Sequence, residues 1–592
     1  MPSQGAIAVT EPSDEQLQVI GAPVTPMSVI ACAGSGKTFT AVRRLAHIRR
    51  QLGDHRGRVA LLSFSNVAVD TFRREYQKLV QDAPSSVIHD RVEIDTLDSF
   101  ITGNVLRPHA YRTMGAQQAA FLVMGGEAFL GGFKFQTNTY PREITQMQVG
   151  IDKNGVYFCY SDNDGTRRLD TVQATRLVHR LGQVGAYTHN LGRYWCYRTL
   201  AEQPGILRAL VRRYPHILID EAQDIGTAHQ AIIEQLVHAG CQVSLIGDPN
   251  QGIYEFAGAN GAFLTQYGQQ EGVNRLRLTR NFRSVPAILD LANRLSTRDD
   301  TADREAPNTT HGAFFVSYRN AERENLVAAF QATVLAADLK LERSAVLCRA
   351  RDMADKLAGN EGAPGQGTVK GLALAAILRD RRQDYLGAFK LVATSIVGLL
   401  ANPPQGLVAR ITQPARYPDG RALRRLVWTF TRNPDSGLPA ATLIGDTQWH
   451  PLLLERTRAL LTTVAQAHEL ASADNLGNKL ARRGLPNSPL IAAADLAAND
   501  DVPRIRVDTV HQAKGESLDA VLYLANREHV NAMLAGVNSE VGRIGYVAAT
   551  RARNLLWLGV PANALAELRP ALLACGFQEA SVAIGERGPN LE

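Results

Sequence analysis

A phosphate-binding loop is predicted by the stretch "ACAGSGKTFT", whose first residue is Ala31. Such a loop needs glycines where the backbone approaches phosphate, a lysine for the β- and γ-phosphates, and a hydroxyl for Mg²⁺. Gly34, Gly36, Lys37 and Thr38 fill these positions, although the general pattern has glycine where this chain has Ala31. The alternative interpretation is a Gly/Ser turn followed by a solvent-exposed lysine. The apolar run before the loop and the helical pattern after it favour the nucleotide site.

An acidic pair could complete a site for magnesium and ATP. Asp220 follows the apolar run in "ILIDEAQD", and Glu221 comes next. Carboxylate oxygens are hard ligands that suit Mg²⁺, so Asp220 and Thr38 are the candidate metal ligands. Glu221 is the candidate base that orients and deprotonates an attacking water. Acidic pairs on loops are commonly just solvated, but a pair directly after a buried strand, in a chain with a phosphate loop, favours phosphoryl chemistry.

Parallel sheets are the elements that would position these residues. Short apolar runs such as "SVIACAG", "RVALLSFS" and "QVSLIGD" alternate with helical stretches in the first part of the chain. This alternation is typical of a parallel sheet with crossover helices, which binds ligands at the carboxyl ends of its strands. Sheet-type runs return near residue 275 and again after residue 500. The turn-rich residues 105–204 and the Ala/Leu-rich residues 359–499 read as insertions into the two sheet regions.

Composition and charge limit the class of protein. A chain of 592 residues is too long for a single hydrophobic core, so several domains are expected. A hydrophobic content of 45% is ordinary for a globular chain. The net charge of +7 is compatible with a nucleic-acid partner but does not by itself indicate one. Six cysteines lack zinc spacing and C-x-x-C pairs, which predicts reduced thiols in a cytoplasmic protein. Neither a signal peptide nor a membrane-length apolar run is present in the sequence, so no membrane partner is expected.

With both site sequences placed, the chain resembles the UvrD/Rep-type superfamily 1 DNA helicases. The resemblance is carried, in order, by "DEQLQVI", "ACAGSGKT", "LLSFSNVAVDTF", "ILIDEAQD", "SLIGDPNQGIYEFAGA", "LTRNFRS", "VDTVHQAKGES" and "GRIGYVAATRAR". It implies an α/β fold with two RecA-like parallel-sheet motor domains, each interrupted by a mainly helical insertion subdomain. The implied parts are motor domain 1A (1–104 and 205–275), insertion 1B (105–204), motor domain 2A (276–358 and 500–592) and insertion 2B (359–499).

The resemblance also implies an ATP site with ATP and Mg²⁺ as its cofactors. Its expected catalytic residues are Lys37, Asp220, Glu221, Gln251, Arg283 and Arg551. Gln251, Arg283 and Arg551 are expected to contact the γ-phosphate, where arginines stabilise the charge of the transition state. The residues expected to hold the nucleotide are Gln16, Ala33, Gly34, Ser35, Gly36, Lys37, Thr38, Phe39, Phe282 and Glu516. Phe282 replaces the usual adenine-stacking tyrosine, and Phe39 stands where many relatives have an arginine.

Contacts to single-stranded DNA follow from the same resemblance, because stacking and backbone contacts suit a motor that does not read sequence. The expected contacts are Phe64, Ser65, Asn66, Thr96, Ser99, Tyr254, Phe256, Arg349, Thr509 and His511. Taken singly, the aromatic residues among them would rather be assigned to core packing.

Some positions depart from the family pattern on this DNA track and at the ribose. Phe256 replaces a tryptophan, and Ala257 replaces the arginine that commonly follows it. Asp98 stands where relatives usually have a histidine, and an acid would repel DNA phosphate. Motif V reads "KGES" rather than "KGLE", so either Glu516 or Ser517 is expected at the ribose.

The sequence therefore predicts an ATP-dependent translocase and helicase on single-stranded or 3′-tailed DNA, with 3′→5′ polarity taken from the family. A second prediction is an ATP- and DNA-sensing subunit that regulates a partner nuclease in antiviral defence, with little unwinding alone. Phrases such as "YPHILIDEAQDI" resemble the compact UvrD-like partners of OLD-family nucleases, including Gabija-type helicases. A third possibility, an inactive nucleic-acid clamp, is disfavoured by the complete set of expected catalytic residues. Repair and defence, as pathways, share all of these motifs.

Overall fold

The computed structural model describes residues 11–81, 91–123, 125, 127–162, 165–254, 258–259, 261–357, 364–401, 403–404, 406–414, 417–491 and 505–580. The chain divides into two compact units. The first lies within Met1–Phe121, Phe135–Ala354 and Ile505–Glu592, and the second within Leu122–Lys134 and Asp355–Arg504. All six cysteines have free thiols and all but Cys575 are buried, which agrees with the predicted reduced state. Among the described residues, no helix is both long and apolar enough to cross a bilayer.

The strands that build the larger sheets are, in the described residues, β1 (Met27–Ala31), β2 (Val59–Ser63), β3 (Val92–Thr96), β4 (Gln148–Asp152), β5 (Gly155–Asp162), β6 (Gly165–Arg168), β7 (His216–Ile219), β8 (Gln242–Gly247), β9 (Asn274–Leu278), β10 (Gly312–Tyr318), β11 (Ala345–Cys348), β12 (Arg506–Thr509), β13 (Leu518–Leu524), β14 (Ala552–Pro561) and β15 (Gln578–Glu579). Two-residue strands also occur, at Phe121–Leu122, Lys134–Phe135, Arg142–Glu143, Ala186–Tyr187, Arg280–Asn281 and Thr301–Ala302.

The α-helices of the same described residues are α1 (Asp14–Gly21), α2 (Lys37–Gln51), α3 (Asn66–Gln81), α4 (Leu97–Ile101), α5 (Arg107–Thr113), α6 (Thr171–Gln183), α7 (His189–Glu202), α8 (Pro204–Arg213), α9 (Thr227–His238), α10 (Ala262–Tyr267), α11 (Pro286–Ser296), α12 (Arg323–Ala336), α13 (Arg351–Leu357), α14 (Gly367–Arg382), α15 (Tyr385–Gly398), α16 (Leu407–Thr412), α17 (Arg421–Arg432), α18 (His450–His468), α19 (Leu476–Lys479), α20 (Arg527–Leu534), α21 (Glu540–Arg551) and α22 (Ala562–Cys575).

The first parallel sheet has the strand order β9–β1–β8–β7–β2–β3. Every residue of β2 (VALLS) and β7 (HILI) is buried. Such near-continuous burial is expected where helices cover both faces of a parallel sheet. Strand β1 pairs with β8, and β8 pairs with β7, all in parallel. The carboxyl ends of these three strands therefore lie side by side, where the predicted phosphate loop and acidic pair begin.

The second parallel sheet has the strand order β12–β11–β13–β14–β10–β15. Its central strand β13 (LDAVLYL) is buried along its whole length, and each such apolar side chain contributes roughly 1.5–3 kcal/mol to stability. Helix α21 packs against this sheet and begins where Ser539 Oγ accepts a hydrogen bond of 3.0 Å from Gly542 N. Gly545 allows a close approach of α20, because a Cβ there would stand 2.7 Å from the Cβ of Met533. This packing fixes the position of the last residue of α21, Arg551.

The first insertion contains an antiparallel meander, β4–β5–β6, beside helices α5, α6 and α7. These three strands were not predicted from the sequence. The second insertion is helical, with α14 to α19 packed around a core that includes Val392, Trp449 and Leu453. The expected fold class is confirmed, since both large sheets are parallel and both are interrupted. The domain boundaries given above stay a prediction.

Candidate functional site: a nucleotide cleft and a strand track

The phosphate loop connects β1 to α2. Gly34 and Gly36 have φ angles of 78° and 76°, in the left-handed region that favours glycine. A Cβ on Gly36 would stand 2.7 Å from Nε2 of Gln16, so the residue also needs to be small. Helix α2 begins at Lys37, directly after the second glycine. The loop therefore leads into a helix N-terminus, the arrangement that binds phosphate through backbone N–H groups.

Neighbouring segments hold the other residues of the loop. Asn281 Nδ2 donates a hydrogen bond of 2.6 Å to the carbonyl oxygen of Ala33. Ser35 Oγ donates to the carbonyl of Cys32 at 2.9 Å. Gln16, which is 4% exposed, donates from Nε2 to the carbonyl of Ser35 at 3.0 Å. The same glutamine forms a capping box with Ser13 at the start of α1, so it ties that helix to the loop. Its expected contact with adenine stays a prediction.

The acidic pair follows β7 directly. Asp220 is buried, and its backbone N–H donates to the carbonyl of Leu62 at 2.9 Å. Glu221 adopts a left-handed backbone, with φ of 54°, and accepts a hydrogen bond from Gln223. Burial, together with the neighbouring Glu221, raises the pKa of Asp220 to about 7. Burial also acts on Glu221, but Lys37, Lys514 and Gln223 outweigh it and lower the pKa of that carboxyl. The two carboxyl groups therefore have different proton affinities.

The residues present fit a magnesium ion. Oδ1 of Asp220 is buried and has no hydrogen-bond partner among the described residues, so a ligand there would satisfy it. Within the same residues, no group of at least three His, Cys, Asp or Glu side chains could hold a metal on its own. Mg²⁺ commonly binds through one or two protein oxygens while nucleotide phosphates and water complete its shell. Asp220 and Thr38, the first-turn threonine of α2, would be those protein ligands.

A hydrogen bond crosses from the first sheet to the second. Gln251, in the turn Pro249–Gln251 after β8, accepts 2.8 Å from Nη2 of Arg551. Its own Nε2 donates to the buried Asp248 at 2.9 Å. Nη1 of Arg551 donates to the carbonyl of Glu516 at 3.3 Å, and burial lowers the pKa of this arginine. The structure thus brings together residues that the sequence places 300 positions apart.

Arg283 lies directly over the phosphate loop. A Cβ on Gly34 would stand 2.5 Å from the Cβ of Arg283, and Phe282 N donates to the carbonyl of Gly34 at 3.0 Å. The guanidinium of Arg283 donates to the carbonyl of Thr550 at 2.9 Å. Burial and, to a smaller extent, the charge of Arg551 lower the pKa of Arg283 to about 9. Burial disfavours the charge of both arginines, and Arg551 adds repulsion on Arg283, so an anion placed beside them would be stabilised.

The expected base-binding residues have protein partners of their own. The guanidinium carbon of Arg43 lies 3.3 Å from the centre of the Phe39 ring. Arg280 lies 5.5 Å from the centre of the Phe282 ring. The carboxylate of Glu516 pairs with Arg506 at 2.6 Å, while its carbonyl accepts from Arg551. The expected ribose contact of Glu516 or Ser517 stays a prediction.

The expected DNA contacts of the first motor domain follow β2 and β3. Ser65 and Asn66 are exposed at the start of α3, beside the partly buried Phe64. Thr96 caps α4, where its Oγ1 accepts 3.2 Å from the N–H of the exposed Ser99. These residues follow neighbouring strands, since β2 pairs in parallel with β3. The exposed polar groups could contact a nucleic-acid backbone, and that role stays a prediction.

Asp98 is held inside the protein rather than presented to a phosphate. Arg193 of α7 donates two hydrogen bonds to its carboxylate, at 2.8 and 2.7 Å. His229 of α9 lies 2.8 Å from Oδ1, and its ring packs edge-on against Phe64 with 5.6 Å between ring centres. Burial acts to raise the pKa of Asp98, but His229 and Arg193 hold it well below its usual range. This charge neutralisation removes the repulsion that the sequence analysis expected at Asp98.

The expected contacts of the second motor domain surround motif V. His511 lies 3.2 Å from the carbonyl of Ile253 and 5.8 Å, ring centre to ring centre, from Tyr254. Thr509 Oγ1 donates to Gln512 at 2.8 Å. Arg349 directly follows β11, which pairs with β12, and lies 3.0 Å from His529. The structure brings Tyr254 and His511 together, and it leaves Arg349 engaged with a different residue. Phe256 and Ala257 lie outside the described residues.

Three side-chain pairings near the nucleotide site and the expected DNA contacts were not predicted from the sequence. Nζ of Lys514 contacts both carboxylate oxygens of Asp224, at 2.6 and 2.7 Å, and lies 4.6 Å from the Tyr254 ring. Arg43 on Phe39 and the Arg193–His229 pair on Asp98 are the others. The i, i+4 spacing of Phe39 and Arg43 could have predicted that contact from sequence. The remaining pairings join distant segments and leave no local signal.

Two parallel sheets, a phosphate loop and an Asp–Glu pair directly after a buried strand define a P-loop protein of RecA-like architecture. Residues 13–154 and 166–271 match the model of the UvrD/REP helicase N-terminal domain family. These residues are therefore similar to that family's N-terminal domain.

Relatives with curated names point the same way. The chain is 23% identical over 311 residues to the ATP-dependent DNA helicase UvrD1 of Mycobacterium leprae, covering 48% of this chain and 39% of the relative. It is 25% identical over 300 residues to DNA helicase II of Haemophilus influenzae, covering 48% of this chain and 40% of the relative. A longer match, 22% identical over 457 residues, is with the ATP-dependent DNA helicase UvrD2 of Mycobacterium bovis, covering 67% of this chain and 62% of the relative. The first two matches thus span about two fifths of those relatives.

Proposed function

We propose that this chain is an ATP-dependent single-stranded DNA translocase and DNA helicase of 3′→5′ polarity. The observation that carries the proposal is the hydrogen bond from Arg551 to Gln251, which joins the two sheets near Glu221, whose charge acts on Arg551. The match of residues 13–154 and 166–271 to the UvrD/REP helicase N-terminal domain, and the similarity to ATP-dependent DNA helicases, support DNA and ATP as substrates. The polarity is taken from the family alone.

ATP is held, in this proposal, by the backbone from Ala33 to Gly36 and by Lys37. Thr38 and Asp220 would hold Mg²⁺, which would neutralise charge on the phosphates of the nucleotide. Glu221 orients the attacking water and accepts its proton, because its lowered pKa keeps the carboxyl ionised. Gln16, Phe39 and Phe282 contact the base, and Glu516 contacts the ribose.

Hydrolysis is coupled to movement through Arg283 and Arg551. An anion placed between them and the phosphate loop stabilises both side chains, because burial disfavours the charge of each and Arg551 also repels Arg283. A γ-phosphate therefore favours closure of the cleft, and its loss removes that preference. The two sheets then act as motor domains 1A and 2A, with the insertions as 1B and 2B.

DNA is held along the carboxyl ends of strands in both sheets. Phe64, Tyr254 and Phe256 provide stacking surfaces, while the polar contacts come from Ser65, Asn66, Thr96, Ser99, Arg349, Thr509 and His511. Asp98 positions the Phe64 ring through His229 and makes no phosphate contact. Stacking that is indifferent to base identity suits a translocase.

Strand displacement by the purified full chain tests this function. A duplex with a 3′ single-stranded tail is compared with a 5′-tailed duplex and a blunt duplex, each with and without ATP. We expect ATP-dependent displacement of the 3′-tailed duplex alone. Displacement of only the 5′-tailed duplex would contradict the polarity, and Lys37→Ala serves as the inactive control.

A second candidate function is regulation of a partner nuclease in antiviral defence. It rests on the likeness of "YPHILIDEAQDI" and related phrases to helicases that partner OLD-family nucleases. In that case, single strands stimulate ATP hydrolysis but no tailed duplex is displaced by the chain alone. Displacement that appears only after an OLD-type nuclease is added, or nuclease activity that depends on ATP turnover by this chain, would favour this candidate.

A further inference from the structure

The positive charge of the chain is concentrated in its helical insertion. Residues 364–491 contain sixteen Lys or Arg and eight Asp or Glu, a net charge of +8, whereas the whole chain carries +7. The remaining residues together are thus close to neutral. A concentrated positive field attracts polyanions and raises the rate at which they associate. The second insertion therefore carries most of the net positive charge of the chain, which favours the binding of a polyanion there.

One helix of this insertion presents arginines and a tryptophan on the same face. Helix α17 contains four arginines and no acidic residue. Arg421, Arg425, Trp428 and Arg432 follow each other at spacings of four, three and four residues, which places them on one side of a helix. The three arginines are exposed and the indole is partly exposed.

The fourth arginine of α17 has a structural task that the other three do not share. Arg424 donates to the carbonyls of Ile411, Arg410 and Tyr417, at 2.7, 2.8 and 3.1 Å. Asp419, the acid that precedes the helix, pairs with Arg410 at 3.2 Å. The exposed Arg421, Arg425 and Arg432 are therefore placed to bind an anion from outside the chain.

A concave space opens beside the tryptophan. Trp428, Thr429, Arg432, Asn433 and Pro434 line a cavity of about 430 Å³. The indole is supported from behind by Phe389, whose ring meets it edge-on with 5.2 Å between ring centres. An aromatic surface with polar amide and hydroxyl neighbours accepts a planar base by stacking, with hydrogen bonds at the base edge.

A second cavity of about 360 Å³ shares Pro434 as a wall and is also lined by Gln383 and Tyr385. Tyr385 is 40% exposed and stands one turn before Phe389 on α15. Two aromatic side chains, each beside a cavity, therefore lie on either side of one proline. Successive bases of an extended strand could occupy such neighbouring positions.

The wall between the cavities is held in place by the protein. Nη1 of Arg456 donates to the carbonyls of Pro434 and Gly437, at 2.7 and 3.2 Å. Gly437 N donates to the carbonyl of Asn433 at 2.9 Å, and Leu438 N donates to Phe430 at 2.7 Å. The site is thus formed before a ligand arrives, which lowers the entropic cost of binding.

We infer that the second insertion carries a second binding surface for single-stranded nucleic acid. This surface consists of the α17 residues Arg421, Arg425, Trp428 and Arg432, with Tyr385 of α15. Its arginines contact phosphates, and its aromatic rings stack on bases. A duplex fits less well, because its bases are already stacked on each other and are not available to Trp428. The inference rests on the proposed function, because that function makes single-stranded DNA the ligand. The second insertion then has a binding surface for single strands in addition to the contacts expected in the two motor domains.

Binding of a fluorescent oligothymidine of about 20 nucleotides to the full chain tests the surface. We expect Arg425→Ala/Arg432→Ala and Trp428→Ala each to weaken binding about tenfold, and the arginine variant also to lower the salt dependence. Trp428→Phe keeps an aromatic ring against Phe389 and is expected to lose less affinity. Arg458→Ala, an exposed arginine of α18, is the matched control and is expected to bind as the wild type does.

Unchanged affinity in both the arginine and the tryptophan variants would overturn the inference. A loss confined to a blunt duplex probe would also overturn it, since the surface would then bind duplex. Stimulated ATP turnover at saturating DNA is measured in parallel, and we expect the variants to keep it. Absence of stimulated turnover in the wild type would refute the proposed function while leaving the binding result valid, so the two failures are distinguishable.

Discussion

Gln251 accepts a hydrogen bond of 2.8 Å from Arg551, and this contact joins the turn after β8 to the last residue of α21. Because Arg551 is expected to stabilise charge on the transferred phosphoryl group, Arg551→Ala should lower the turnover of ATP by about 10³-fold or more. Arg551→Lys should remain slow, since lysine lacks the planar guanidinium fork. Steady-state ATP hydrolysis with saturating single-stranded DNA measures both.

The control for Arg551 is its near neighbour Arg553, whose side chain pairs with Asp519 at 3.7 Å. Arg553→Ala should keep most of the turnover. Near-normal hydrolysis by Arg551→Ala would contradict the assigned role, and equal losses in both variants would indicate a general effect on folding.

Asp220 should make the nucleotide-free protein less stable as the pH rises. Its pKa is about 7 in the folded chain against an ordinary value of 3.8. Since the folded state holds the proton more tightly, this contribution to stability is fully present below about pH 4 and is lost as the pH rises through about 7. Asp220→Asn removes the titration, so its melting temperature should fall less than that of the wild type between pH 5 and 8.

The pH dependence of the affinity for Mg–nucleotide is a second test of Asp220. Binding of Mg²⁺ requires the carboxylate, so the affinity of wild type for Mg–nucleotide should weaken below about pH 7. Thermal melts over this pH range, with and without Mg–nucleotide, measure both effects. The same pH trend in wild type and Asp220→Asn would show that another group is responsible.

Asp98 should matter for stability and for the Phe64 ring, but not as a phosphate contact. Asp98→Ala leaves Arg193 without its carboxylate and should cost about 2 kcal/mol, less than a fully buried pair because the carboxylate is 28% exposed. Denaturant unfolding measures this cost. A double-mutant cycle with Arg193→Ala should show non-additive losses, because the two side chains share one interaction. Additive losses would contradict the pairing.

Phe39 should contribute to the affinity for ATP more than to the chemical step. Phe39→Ala should raise KM about tenfold with little change in kcat, since stacking on the base is made equally before and during reaction. Phe39→Arg, the family residue, should not restore affinity, because Arg43 would then face a second guanidinium. Phe39→Arg/Arg43→Ala should recover part of it. Recovery by the single variant would show that Arg43 does not restrict this position.

The sequence predicts the sheets and the cleft residues well because phosphate chemistry demands fixed residue types. Gly34 and Gly36 must adopt positive φ angles, and Asp220 must follow a buried strand, so each leaves a local pattern. The charge partners of Asp98 could not be predicted in this way. Arg193 and His229 lie 95 and 131 positions away in the chain, and only tertiary packing brings them to the carboxylate.

Other features were not predicted for the same physical reason. The carboxylate of Glu516, whose ribose contact stays a prediction, pairs with Arg506, ten positions earlier on β12. The antiparallel meander of the first insertion was not predicted because its strands are short and partly polar. The alternation of apolar and polar residues along them is therefore weak. The arginine face of α17 was visible in sequence, but its cavity depends on the loop that Arg456 holds.

The most direct test of the account is ATP hydrolysis by the full chain as single-stranded DNA is added, measured beside Lys37→Ala. We expect Mg²⁺-dependent turnover that rises at least about tenfold with single-stranded DNA. We expect no turnover by Lys37→Ala, although that variant still binds the strand. Turnover that does not respond to single-stranded DNA, or hydrolysis by Lys37→Ala at the wild-type rate, would contradict the proposed function.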